Sequence, residues 1–273
     1  MKKKISKIKK IKKEYLIVIC IILLIILIFI YGNIINHAII RRKFVDANME
    51  IYQNNEEPVF KIDKIVLCSS ANAIDRSIEQ NLQDLSIYQY TDIAVYIDNG
   101  DELSNKNTVS KLYIDNISLE GVDTIGQKSL RYKNLLNFGL KEELTENVET
   151  KDIEFNIIYT NDENELADYD QANFYTDCSN PITLEYLNYN LVNGYKMDEN
   201  NSVDFDGSIL EKAGVSIEEI NCKVKFKINI INNQNEKYSC WVNFQIPLED
   251  IYEGTTMKAA QTIEGNKYIF FRE

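Results

Sequence analysis

Two stretches decide the fold: Cys222–Ile231, CKVKFKINII, and Tyr238–Ile246, YSCWVNFQI. In the first, Cys222, Val224, Phe226, Ile228 and Ile230 alternate with Lys223, Lys225, Lys227 and Asn229. In the second, Cys240, Val242, Phe244 and Ile246 alternate with Trp241, Asn243 and Gln245. Successive side chains on a strand point to opposite faces, so a period of two gives each strand one apolar face and one polar face. The pair reads as a hairpin in an antiparallel sheet with a single covered side. If Ile231 faces Tyr238, Cys240 lies opposite Asn229, about 23 Å along the strand from Cys222 and out of disulfide reach.

The same period recurs outward from this hairpin. Val59–Cys68, Asp92–Ile97, Val109–Leu119, Ile153–Tyr159 and Ile182–Val192 are strand candidates, and Tyr268–Phe271 is a closing strand. Asn193-Gly194 accepts positive φ angles and predicts a type I′ hairpin into Tyr195–Met197. Helical patterns are fewer: Ala73–Leu85, Leu135–Leu144 and Ser208–Ala213. Many short strands with few helices predict a mainly β region, an antiparallel β-sandwich with an Ig-like arrangement as one option. Residues 58–273 form this acidic β-rich region, as one domain or as two subdomains dividing near 165–180.

The amino-terminal part has a different composition. The first 43 residues hold 11 of the 30 Lys+Arg and one of the 42 Asp+Glu, so the remainder carries 19 against 41, a balance of −22. Lys2, Lys3, Lys4, Lys7, Lys9, Lys10, Lys12 and Lys13 form a basic tail over 1–15. From Leu16 to Tyr31 there is neither a charge nor an amide, and Ile34 and Ile35 extend the apolar run. A helix of about 20 residues spans a bilayer core of about 30 Å, so 16–35 reads as a transmembrane signal anchor in contact with lipid. The exit, Ile30-Tyr31-Gly32-Asn33-Ile34, lacks the small-residue pattern of a cleavage site. The Lys excess before the span places residues 1–15 in the cytoplasm and 58–273 outside the cell membrane. Residues 36–57 continue at near-helical spacing as a juxtamembrane helix or stalk, which Pro58 ends.

Composition also bounds the chemistry. An acidic exterior domain is a poor nucleic-acid binder, because phosphate contacts need clustered Lys or Arg. His37 is the only histidine and lies at the membrane exit, so 58–273 can carry neither a Ser-His-Asp triad nor a His-containing zinc site. The chain is therefore not expected to be an enzyme. Cys68, Cys178, Cys222 and Cys240 show no CxxC spacing and are expected as buried thiols, a disulfide among them being the other option.

Acidic residues crowd two segments, Asp162 to Asp170 and Asp198 to Asp206. Asp198, Asp204 and Asp206 are the candidate Ca²⁺ ligands, Ca²⁺ being the one cofactor considered. Counted from Asp198, the sixth and twelfth positions are Val203 and Ile209 instead of Gly and Glu, so the loop departs from an EF-hand and solvated turns are the expectation. Trp241 is the only tryptophan and has the parity of the polar face. It is expected to pack beneath a loop or a second subdomain; stacking on a sugar or anchoring a partner is the other option. Together these features predict a single-pass, membrane-anchored extracytoplasmic envelope protein, acting as a non-catalytic binding or structural module toward a protein or glycan. The alternative is a membrane-tethered assembly or regulatory subunit of an envelope complex.

Overall fold

The computed structural model describes Tyr31 and residues 58–78, 82–99, 107–121, 124–134, 150–159, 171–197, 204–260 and 268–273. The chain divides into two units, Met1–Glu56 and Glu57–Glu273. In the first, Tyr31 is helical. The rest of the expected span 16–35, the stalk and the expected helix Leu135–Leu144 lie outside the described residues. Among the described residues no helix is long and apolar enough to cross a membrane.

The second unit is mainly β. Its elements are β1 (Lys61–Asp75), β2 (Leu85–Asp98), β3 (Val109–Glu120), β4 (Gln127–Tyr132), β5 (Ile153–Ile158), β6 (Asn173–Tyr175), β7 (Ile182–Tyr195), α1 (Ser208–Lys212), α2 (Ile217–Ile220), β8 (Cys222–Asn232), β9 (Lys237–Ile246), a 3-10 turn (Ile251–Glu253), β10 (Thr256–Ala260) and β11 (Phe271–Arg272). They form a five-stranded sheet, β10-β1-β2-β7-β4, and a six-stranded sheet, β11-β9-β8-β3-β5-β6. All neighbours pair antiparallel except β5 and β6, which are parallel.

One apolar cluster draws on both sheets: Ile65, Leu67, Ile93 and Leu184 from the first, Leu112, Phe226, Val242 and Phe244 from the second. Phe226 and Phe244 meet edge to face, with ring centroids 6.2 Å apart. A smaller cluster caps one end, where Ile209 and Leu210 of α1, Val215 and Ile220 pack against Ala71, Ile87 and Leu191. Gly207 makes that turn feasible, because a Cβ there would stand 1.9 Å from the Ile251 carbonyl oxygen. Ser216 and Glu219 close a reciprocal capping box on α2.

The β8–β9 register differs by one residue from the expected one. Asn232 pairs with Glu236 around a three-residue loop in which Asn235 has φ 60°, the geometry of a type I turn followed by a left-handed residue. Asn232 Oδ1 fixes the loop by accepting from the backbone of Gln234 (3.0 Å) and Glu236 (2.9 Å). Tyr238 therefore opposes Ile230, and Cys240 opposes Ile228 with both side chains facing inward. Cys222 opposes Ile246, so the two thiols remain about 20 Å apart along the hairpin. Cys68, Cys178, Cys222 and Cys240 are free. Burial pushes Cys178 and Cys240 up to about 12, which keeps both as inert thiols at neutral pH.

Two further expectations are corrected. No helix begins at Ala73: Ala73, Ile74 and Asp75 pair with Ile87, Ser86 and Leu85, and the Asp75 carboxylate organises the connection by accepting from Ser77 N (2.9 Å) and Leu82 N (2.8 Å). Asn193-Gly194 does not turn the chain into a hairpin either. Gly194 takes φ 74°, but β7 continues to Tyr195, which pairs with Leu85 across an irregular register. The positive φ is absorbed as a strand irregularity because β2 offers continued pairing.

Candidate functional site

The outer face of the six-stranded sheet is the wet face of the hairpin. Across β8 and β9, Lys223 pairs with Gln245, Lys225 with Asn243 and Lys227 with Trp241. Three lysines thus line one strand of an otherwise acidic unit, opposite amides and the sole tryptophan. Trp241 is 44% exposed, which corrects the expectation that it packs beneath other chain. Lys225 Nζ lies 4.5 Å from the centroid of its ring, a cation–π contact worth about 0.5–1 kcal/mol at an exposed site. At one end the face runs into a polar depression of about 490 Å³ lined by Glu120, Glu218, Asn221, Lys223 and Gln245.

The opposite end is fixed by Glu273. The Glu273 side chain accepts from Lys227 Nζ, from Lys237 Nζ at 2.5 Å and from Ser239 Oγ at 2.8 Å. Partial burial works to raise its pKa, yet the bonds from Lys227, Lys237 and Ser239 win and hold the carboxyl at about 2. Lys227 is thereby paired with Glu273, and Lys223 stands opposite Glu120 of β3, so the face mixes cations, amides and acids. Asn229 lies at the same end, fully buried between Tyr113 and Ser239, with no hydrogen-bond partner among the described residues for either atom of its amide.

Of the candidate calcium ligands Asp198, Asp204 and Asp206, the structure describes Asp204 and Asp206. Asp198 lies outside the described residues, as does the segment Asp162 to Asp170. Asp206 Oδ1 accepts from Ser208 N at 2.9 Å and so starts α1. Among the described residues no three His, Cys, Asp or Glu side chains are grouped to hold a metal ion.

A second constellation lies on the outer face of the five-stranded sheet. Asp92 of β2, Glu185 of β7 and Arg131 of β4 stand side by side in register, with Cys68 of β1 completing the row. Lys133, just beyond β4, reaches back between the acids: its Nζ donates to Asp92 Oδ1 at 2.9 Å and to Glu185 Oε1 at 2.8 Å. Arg131 holds the other Glu185 oxygen from Nε (2.8 Å) and Nη2 (2.6 Å). Lys133 and Asp92 are 1% and 0% exposed. Burial works to lower the Lys133 ammonium, but Glu185 and Asp92 together keep it above its ordinary value. Tyr90 places its ring 5.6 Å from Lys133 Nζ, and Tyr88 stacks at a tilt on both Tyr90 and Tyr189. Sequence reading passed over this cluster. Its signal was an acid inside an apolar run in each of two strands, Asp92 before IAVYI and Glu185 within ITLEYL.

The first constellation can stack on and hydrogen-bond to a ligand; the second can move protons in a dry setting. No protein-family model, curated protein or solved structure matches the chain.

Proposed function

We propose that the chain is a single-pass, membrane-anchored envelope protein whose extracytoplasmic part, 58–273, is a non-catalytic binding or structural module. The basic tail, the uncharged run over 16–35 and the acidic remainder support the anchor and its orientation. The strand order supports an Ig-like sandwich. The order β1-β2-β7-β4 against β9-β8-β3 corresponds to the Greek-key order ABED against GFC, with β5 and β6 added beyond β3 and β10 and β11 added at the opposite edges.

The observation that carries the binding reading is Trp241, exposed beside Lys223, Lys225, Asn243 and Gln245 on a flat antiparallel surface. An exposed indole costs solvation unless a partner covers it, and amides and ammonium groups beside it supply directed hydrogen bonds. The partner class that fits is a surface glycan. The test is binding of residues 58–273 to an array of neutral and acidic glycans. Trp241→Ala should weaken binding about 30-fold, the loss of a 2 kcal/mol anchor. Unchanged binding by that variant, or no glycan bound at all, would remove the reading.

A further inference from the structure

We propose that Lys133 and Asp92 condense to an intramolecular isopeptide bond, with Glu185 as the group that moves the proton. The reacting groups are already in contact: Lys133 Nζ donates to Asp92 Oδ1 at 2.9 Å, and both side chains are sealed from solvent. They come from β2 and from the end of β4, strands separated in the sheet by β7. Glu185 stands on that intervening strand, 2.8 Å from the same nitrogen.

The step balances without any co-reactant. A proton passes from the Lys133 ammonium to the Asp92 carboxylate, which makes a neutral amine and a neutral acid. The amine nitrogen attacks Asp92 Cγ, and Glu185 Oε1 accepts the second proton from that nitrogen. Glu185 returns the proton to the departing hydroxyl. The C–N bond forms, the C–O bond breaks, one water leaves, and no atom changes oxidation state. Glu185 ends as the carboxylate it began as, and Arg131 holds its far oxygen throughout.

Three features favour amide over ion pair. Fixed contact between the reactants supplies an effective molarity of order 10⁵ M or more for well-oriented groups. Exclusion of water removes the medium that ordinarily drives amide hydrolysis. Condensation also eliminates two buried charges, whose desolvation an ion pair must otherwise offset. Burial among the tyrosines works toward the neutral amine, but Glu185 and Asp92 outweigh it, so the neutral pair is the minor form through which the step passes.

The test is mass spectrometry on the full chain, purified in detergent, denatured and digested. The wild type should yield a branched peptide joining the segments that hold Asp92 and Lys133, lighter by one water than the two linear peptides together. Lys133→Arg should yield linear peptides only. Glu185→Gln should leave most of the chain linear while its circular dichroism remains that of a folded β protein. Linear peptides alone in the wild type would overturn the proposal, whether or not the variants fold. Loss of water that persists in Lys133→Arg would overturn it as well, because it would place the dehydration within the Asp92 backbone. A branched peptide at undiminished yield in Glu185→Gln would remove Glu185 from the step.

Discussion

Phe226→Ala and Trp241→Ala, made on the same hairpin, should differ severalfold in cost. Phe226 is fully buried, faces Val242 across the ladder and meets the Phe244 ring edge-on at 6.2 Å. Truncation removes the ring's transfer energy, its aromatic contact and its filling of the core, together about 3–5 kcal/mol. Trp241 is 44% exposed, so its removal opens no cavity and forfeits mainly the Lys225 contact, about 0.5–1 kcal/mol. A domain holds about 5–15 kcal/mol in all, so the first change consumes a large share and the second a small one. Urea melts of residues 57–273, which form one unit, read both. With a slope of about 2–3 kcal/mol per molar, Phe226→Ala should lower the midpoint by about 1–2 M and Trp241→Ala by less than about 0.5 M. Equal losses would refute the assignment of an inner and an outer face, and the binding surface with it.

The Glu273 carboxyl sits at about 2 in the folded chain against about 4.3 unfolded, so its stabilising contribution is whole above about pH 4.5 and is lost as pH falls toward 2. Glu273→Gln should therefore lower the melting temperature near neutrality and narrow its gap to wild type at about pH 2.5; a gap independent of pH would show that the carboxylate charge is not involved. Asn229 buries an amide that has no partner among the described residues, so Asn229→Leu should raise stability by about 1–3 kcal/mol in the same urea melts, and a loss would mean that the amide is satisfied in solution.

The sequence exposed the hairpin and the strand count because alternation is a local signal that tertiary context rarely overrides at long, regular strands. Register was less legible. The three-residue loop after Asn232 depends on one side chain accepting two backbone N–H groups, which periodicity does not encode. At Ala73–Asp75 a helical spacing yielded to pairing with β2, where ladder bonds and burial outweigh propensity. Trp241 was read correctly for parity and wrongly for burial, since parity assigns a face and says nothing of what lies over it. The cluster around Lys133 was invisible for a different reason. Asp92, Lys133 and Glu185 are separated by 41 and 52 residues along the chain, and their meeting depends on β2, β7 and β4 lying side by side.

The two outer faces follow different rules, and that difference bears on function. On β8 and β9 polar positions such as Lys223, Trp241, Asn243 and Gln245 are exposed. Along β2 and β7 both parities are buried: Ile93 and Leu184 on the inner side, Asp92, Leu187 and Glu185 on the outer. A covered face cannot meet a partner, so the proposed contact is assigned to the six-stranded sheet. A covered face can, however, hold charges that water would otherwise screen, and breaking one member of such a buried set costs about 3–5 kcal/mol. If the unit is tethered and binds a ligand as proposed, force at the ligand would pass through its sheets. An isopeptide bond from the end of β4 to β2 would span β7 and carry that force covalently, where ladder hydrogen bonds alone would have to open in turn.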